Sequence, residues 1–244
     1  MPASLNITLS TATCERLTLD GLPWPVELRR HPRARRLRLA LDPPRELLRL
    51  TVPRRMSRTA ALDWALQQGR WVAEQLAGVA PAEPLIPDAT IPFDGGTLVL
   101  RWDPAAPRTP RLDGAALVCG GPEERFGDRI ARWLRAEARR RLVKETSALV
   151  IASGSADGPV SIGDAETRWG SCSAAGAIRY NWRLLLAPPH VRAYVVAHEV
   201  AHRVHMNHGA EFHALQARLY GGDCHAARTE LRRLGPRLKR VGRG

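Results

Sequence analysis

Residues 195–213 read VVAHEVAHRVHMNHGAEFH and hold five of the chain's eight histidines. Within them His198-Glu199-Val200-Ala201-His202 is an H-E-x-x-H match. Residues four apart on an α-helix lie one above the other on one face. Two imidazoles at that spacing can therefore reach a single metal ion at about 2.0–2.1 Å. Glu199 sits about 100° further round the helix. It can touch water at such an ion but is poorly placed to ligate. That is the arrangement of a zinc hydrolase, with two histidine ligands and a glutamate general base.

The flanks favour a helix. Val191, Tyr194, Val195, Val200 and Val204 supply apolar positions over 191–204, and Pro188-Pro189 precede them, proline being tolerated at a helix start. His208, six residues after His202, is the third candidate ligand. On a continuing helix it would point away. Asn207, or Met206-Asn207 together, can end the helix, because Asn tolerates the left-handed conformation at that position. The chain then swings His208 back. Glu211 and Glu230 stand as alternatives for the third ligand. The competing reading of the whole cluster is two packed helix histidines with Glu199 on the surface. His205 is expected as a surface or supporting group and His213 as packed or solvated. His31, His190 and His225 receive no assignment.

Working outward, the fold class is α+β. Val26–Leu41 reads as extended, Leu47–Val52 as a strand pairing with it, and 59–76 as a helix opening at Ser57. Ile91–Trp102 reads as a hairpin around Gly95-Gly96, and Leu112–Val118 as one short strand. After Gly120-Gly121-Pro122 the texture changes to a long helical pattern over 123–151. Val160–Gly163 reads as a strand, 170–176 as a turn-rich loop, and Ile178–Leu184 as a strand with a period of two. The last dozen residues are expected to fray, and no internal repeat is visible. The division expected is a β-rich, arginine-rich region at 1–122 and a hydrolase domain at 123–244.

The 244 residues are 44% hydrophobic, enough for a sizeable core. The first residues lack a basic segment followed by an apolar run, so no secretory signal is expected. No stretch approaches the roughly 18 apolar residues of a membrane span. The four cysteines form no C-x-x-C pair, which argues against a cysteine-rich zinc module and fits a reducing, cytoplasmic setting. Net charge is +13, nearly all from arginine, since Lys144 and Lys239 are the only lysines. A G+C-rich genome gives such a bias without function. The placement is informative: eleven arginines lie between Arg29 and Arg58 against Asp42 and Glu46, and seven basic residues lie after Ala226 against Glu230. Such patches can attract nucleic acid or another polyanion.

The stretch from Thr167 to Phe212 resembles the YgjP-like metallopeptidases, relatives of the SprT-like zinc proteases. The resemblance is carried by Arg168-Trp169-Gly170-Ser171-Cys172-Ser173, Asn181-Trp182-Arg183, Ala187-Pro188, Val195-Val196, the H-E-x-x-H, and Asn207-His208 followed by Phe212. Pro53-Arg54-Arg55 and the helix to Trp71 extend it toward the N-terminus. It implies a zincin-like fold of a long helix, a small sheet whose edge strand faces the cleft, and the active-site helix. It also implies one zinc held by His198, His202 and His208, with Glu199 as base. The chain departs from the family at Ala177, where Asn is usual, at His213, where Trp is usual, and at His205. Metzincins need glycine at the position of His205 and a later methionine turn. Met1, Met56 and Met206 are the only methionines, which excludes that branch.

The expected reaction is hydrolysis of a peptide bond in a peptide or protein substrate. Tyr180, Arg179 and His205 are candidates for contacts to substrate or oxyanion, and the 178–184 strand is a candidate for strand addition of the substrate. Two alternatives stand beside it. One is hydrolysis of a nucleotide phosphoanhydride at an arginine-rimmed site. The other is a nucleic-acid-associated protease or binding module. Cys172, flanked by serines, is expected to be structural.

Overall fold

A computed structural model describes residues 8–10 and 14–243. The expectation of no secretory signal falls mainly on residues outside that range, as does the side chain of Cys14. The chain divides into two compact units, Met1–Ala80 and Pro81–Gly244. The boundary expected at 122/123 therefore falls inside the second unit. The reason is packing: Leu98, Leu100, Leu117 and Cys119 share one core with Phe126, Ile130 and Leu134 of the long helix.

The first unit is a sheet with strand order β1-β2-β3-β5-β4. Its strands are β1 (Thr8–Ser10), β2 (Cys14–Leu17), β3 (Val26–His31), β4 (Arg38–Asp42) and β5 (Leu47–Pro53). The stretch read as extended from Val26 to Leu41 is thus two strands. β4 pairs antiparallel with β5, as expected, but β3 runs parallel to β5 on its other side. Two helices complete the unit: α1 (Arg58–Gln67), capped by the Ser57 hydroxyl accepting from Ala60 N–H, and α2 (Gly69–Ala77). Their Ala61, Leu62, Ala65 and Val72 share a core with Leu28, Leu50 and Val52.

The second unit begins with β6 (Thr90–Phe93), β7 (Gly96–Trp102), β8 (Arg111–Asp113) and β9 (Ala116–Cys119), in the order β6-β7-β9-β8. The single strand expected at 112–118 is two strands folded about Gly114 at φ 57°. The order and sense of β2-β3-β5-β4 recur here: antiparallel, parallel, antiparallel. No sequence repeat marks this, because pairing sense depends on alternating burial rather than on residue identity.

Helix α3 (Phe126–Ser153) buries Ile130, Leu134, Ala138, Leu142, Thr146 and Val150, one per turn, and ends at Gly154 at φ 67°. Against it lie β10 (Val160–Gly163), β11 (Gly170–Cys172) and β12 (Ile178–Asn181), in the order β10-β12-β11. The period-two pattern expected to continue to Leu184 stops at Asn181. Asn181 accepts from the N–H of Arg183 and opens a 3-10 turn, Trp182–Leu186. Helices α4 (Pro189–Ala201), α5 (Ala210–Tyr220) and α6 (Cys224–Leu238) follow. The chain expected to fray is packed as far as Val241, which is fully buried and whose carbonyl accepts from Arg183 Nε at 2.8 Å.

An ionic knot fixes α4 against α3. Asp94 and Gly95 form the two-residue turn between β6 and β7, with φ 53° and 87°, the left-handed pair a type I′ hairpin demands. Asp94 accepts from Arg192 of α4 at 2.8 Å and also from Arg141 of α3. Arg192, 4% exposed, donates further to Glu145 of α3 at 2.9 Å. Burial alone would raise the Asp94 carboxyl; the hydrogen bonds and charge of Arg192 and Arg141 outweigh it and hold the carboxyl below its usual value. A carboxylate with a depressed folded pKa stabilises above its unfolded pKa and loses that contribution as pH falls through the folded value. Asp94→Asn should therefore cost about 2–3 kcal/mol at neutral pH, by leaving a buried guanidinium short of an acceptor. In urea unfolding of the two proteins the gap should close below about pH 4.

Candidate metal centre

Helix α4 presents Val191, Val195, Val196 and Val200 to the core, each at most 4% exposed. His198 and Glu199 stand on its last full turn. The helix ends at Ala201, not near Asn207, with His202 at its cap. The i→i+3 bonds Arg203 N–H to Val200 O (3.0 Å) and Val204 N–H to Ala201 O (3.1 Å) tighten the exit. Asn207 is not left-handed; among the described residues only Glu46, Asp88 and Asp94 are non-glycine residues with positive φ. The early stop leaves residues 203–209 free to loop back, and this brings His208 to the pair.

Ring nitrogens of His198, His202 and His208 lie within 4.8 Å of one another. The Nε2 atoms of His198 and His208 are 3.4 Å apart, about the separation of two nitrogens held tetrahedrally by one ion at 2.0–2.1 Å. The alternatives for third ligand lie elsewhere. Glu211 is 86% exposed and faces His205, and Glu230 accepts from His190 at 2.6 Å.

The surroundings tune the rings for ligation. His202 Nδ1 meets the carbonyl of His205 at 3.1 Å, which fixes the tautomer that leaves Nε2 bare. The buried Gln216 side chain of α5 acts on His198 in the opposite sense to burial, favouring its protonated form. Burial, then the proximity of His202 and His208, pushes the His198 imidazole down to about 4, so it is unprotonated at neutral pH. Phe212 of α5, fully buried, packs its ring 5.0, 4.5 and 4.7 Å from the centroids of His198, His202 and His208. Three imidazoles converging on one point form a donor set that could hold a metal ion.

Glu199 is 5% exposed, against the reading that puts it on the surface. Burial pushes its carboxyl up to about 7, opposed by the charge of Arg168. It lies over Gly170 of β11. A β-carbon on residue 170 would stand 2.4 Å from Glu199 Oε1, so glycine here leaves room for the Glu199 side chain in this position. Expecting a loop at 170–176 misses β11, which pairs antiparallel with β12. Gly and Ser have weak strand propensity, and the pairing overrides it. Asn181 N–H donates to Trp169 O at 2.8 Å and Ser173 N–H to Ala177 O at 2.9 Å. The bonded positions are thus 169, 171 and 173, and Gly170 and Cys172 aim their backbone groups off the edge of the sheet.

The three candidate contact residues fare differently. Tyr180 is 1% exposed, with its hydroxyl 3.1 Å from Thr146 Oγ1, and cannot reach an oxyanion. Arg179 folds its guanidinium over Gly163, on the sheet face opposite Tyr180. His205 supports His202 through its carbonyl. Strand addition to 178–184 is ruled out because β12 is the central strand. Cys172 is unpaired; burial, then the nearby Glu199 charge, raises its thiol, with Arg203 opposing, which fits a structural role.

A cleft of ≈ 310 Å³ opens beside His198 and Glu199, floored by Trp169, Tyr194, Val195 and Leu231. Trp169 packs against Gly235 of α6, where a β-carbon would stand 3.3 Å from its ring. Gln216, Phe212 and the α6 residues were not legible as site residues. Phe212 was marked only by the family resemblance, and Gln216 only by its i+4 spacing from Phe212.

Removing the buried Gln216 side chain leaves the His198 ring freer to turn. Gln216→Ala should lower metal affinity about 10–100-fold, measured by chelator competition, with little change in far-ultraviolet circular dichroism.

A model of one protein family, described as YgjP-like, metallopeptidase domain, matches residues 35–234. No curated protein and no solved structure matches the chain.

Proposed function

The chain belongs to the YgjP-like metallopeptidase family, and on that premise we propose that it is a zinc-dependent peptidase of zincin-like architecture. His198, His202 and His208 would hold the ion and Glu199 would serve as general base. The observation that carries this reading is the convergence of three imidazoles beside one buried carboxylate. When bound, zinc supplies Lewis-acid polarisation of the scissile carbonyl and of water.

The chain's own residues supply the rest. Glu199, raised to about 7 by burial, takes the proton of the attacking water near neutral pH and returns it to the leaving amine. Gly170 and Cys172, at the edge of β11, offer backbone donors and acceptors to an extended peptide. That edge leads to the cleft beside Glu199, so the peptide carbonyl is delivered within reach of the base. Trp169, Tyr194 and Leu231 in the cleft shed water from the adjoining substrate residue.

A second reading has one supporting observation. At one end of the first unit's sheet Arg29, Arg33, Arg35, Arg36, Arg38, Arg54 and Arg55 gather, with no carboxylate within 4 Å of them among the described residues. A nucleic acid or other polyanion would bind there, and the protease would be recruited by it.

Glu199→Gln should retain about one zinc per chain by mass spectrometry and lose turnover by about 10²–10⁴-fold. His198→Ala/His202→Ala should lose the zinc as well. Full activity of the Gln variant would overturn the role given to Glu199. Gly170→Ala should keep the zinc and lower turnover about 100-fold by displacing that carboxylate.

A further inference from the structure

We propose that Arg228 and Arg232 form a carboxylate-recognition subsite, so that the peptidase prefers substrates with a carboxylate on the residue beside the scissile bond. The inference rests on the peptidase reading above and names the substrate class of that site. Both arginines line the cleft that also exposes His198 and Glu199. They are one helical turn apart on α6, which places their side chains on one face about 5–6 Å apart at the β-carbons.

Their charge has no internal use. Arg233 lies 3.8 Å from Glu230, and Arg237 pairs with Glu83 at 2.7 Å. Glu230 is further engaged by His190. Arg228 and Arg232 have no carboxylate within 4 Å among the described residues, although they share the helix with those pairs. The cleft therefore has an apolar floor of Trp169, Tyr194 and Leu231 and a doubly cationic rim. A side chain with a methylene stem and an anionic end fills it in both respects. The guanidinium fork matches a carboxylate through two parallel hydrogen bonds. The volume, ≈ 310 Å³, lies at the small end of ligand pockets and suits one residue rather than a long segment.

The same carboxylate has two sources. An internal glutamate gives an endopeptidase with acidic preference. The free C-terminus of an apolar residue gives a carboxypeptidase. Phosphates of a nucleotide are a different substrate class, and the test below sets them against the carboxylate peptides.

The test uses zinc-loaded Glu199→Gln protein, which separates binding from turnover, and fluorescence anisotropy with labelled peptides. One peptide carries an internal Glu and an amidated end. A second carries Gln in its place. A third ends in free Leu, and a fourth in Leu amide. The acid member of at least one pair should bind about tenfold tighter. Arg228→Ala/Arg232→Ala should reduce that preference below about twofold, and Arg228→Lys/Arg232→Lys should restore part of it. Which pair shows the preference identifies the source of the carboxylate. Equal affinity within both pairs, or a preference untouched by the alanine variant, would overturn the subsite. So would a nucleoside triphosphate that binds tighter than every peptide and loses affinity in the alanine variant. The peptidase reading fails separately, if wild-type protein holds zinc and binds the acid peptide but cleaves none of the four.

Discussion

The Glu199 side chain fills the space that a β-carbon on residue 170 would take. The rest of the second unit depends on that approach. Helix α4 lies against the edge strand, and its buried Val191, Val195, Val196 and Val200 anchor it in the core. The knot of Asp94, Arg141, Glu145 and Arg192 fixes its rotation from the start of the helix. The consequence is electrostatic: a carboxylate pressed against a strand loses water, and burial drives its proton affinity up to about 7. The same contact that looks like tight packing sets the base to work at neutral pH.

The imidazoles face the opposite problem. Three ring nitrogens within 4.8 Å must stay uncharged and point inward. Burial and mutual repulsion keep the His198 ring neutral. Phe212 backs all three rings, and the His205 carbonyl and Gln216 turn two of them. None of these three groups is a candidate ligand, and without them the three histidines would be free to rotate outward. The early end of α4 belongs to the same design. Had the helix run on to Asn207, His208 would have faced away from the pair.

The sequence made the centre of the site legible because helix periodicity is a local rule. His198, Glu199 and His202 need only four residues of context. The long helix was legible for the same reason, through its one apolar residue per turn. What was missed is non-local. β11 is made of Gly, Ser and Cys and becomes a strand through its partner β12. β12 looked like an available strand because its alternation is clean, yet alternation cannot distinguish a central strand from an edge. Leu112–Val118 looked continuous because the left-handed turn at Gly114 sits among ordinary strand residues. The domain boundary was drawn at a change of texture, whereas the core joins β7 and β9 to the long helix across it.

Composition misleads most where arginine is concerned. Arginine supplies nearly the whole charge excess, but several of these residues serve the interior. Arg183, 1% exposed, spans the Asp164 carboxylate and the Val241 carbonyl. Arg203 reaches the carbonyls of Gly176 at 3.0 Å and Gly158 at 2.9 Å, tying the exit of α4 to two loops. The planar guanidinium fork fixes the direction of each of these donors, where a lysine ammonium presents a single point. Charge counted along the chain therefore overstates what is offered to a partner. The informative arginines are those left over when internal pairs are assigned. In the second unit, two of them stand at the mouth of the cleft that holds the base.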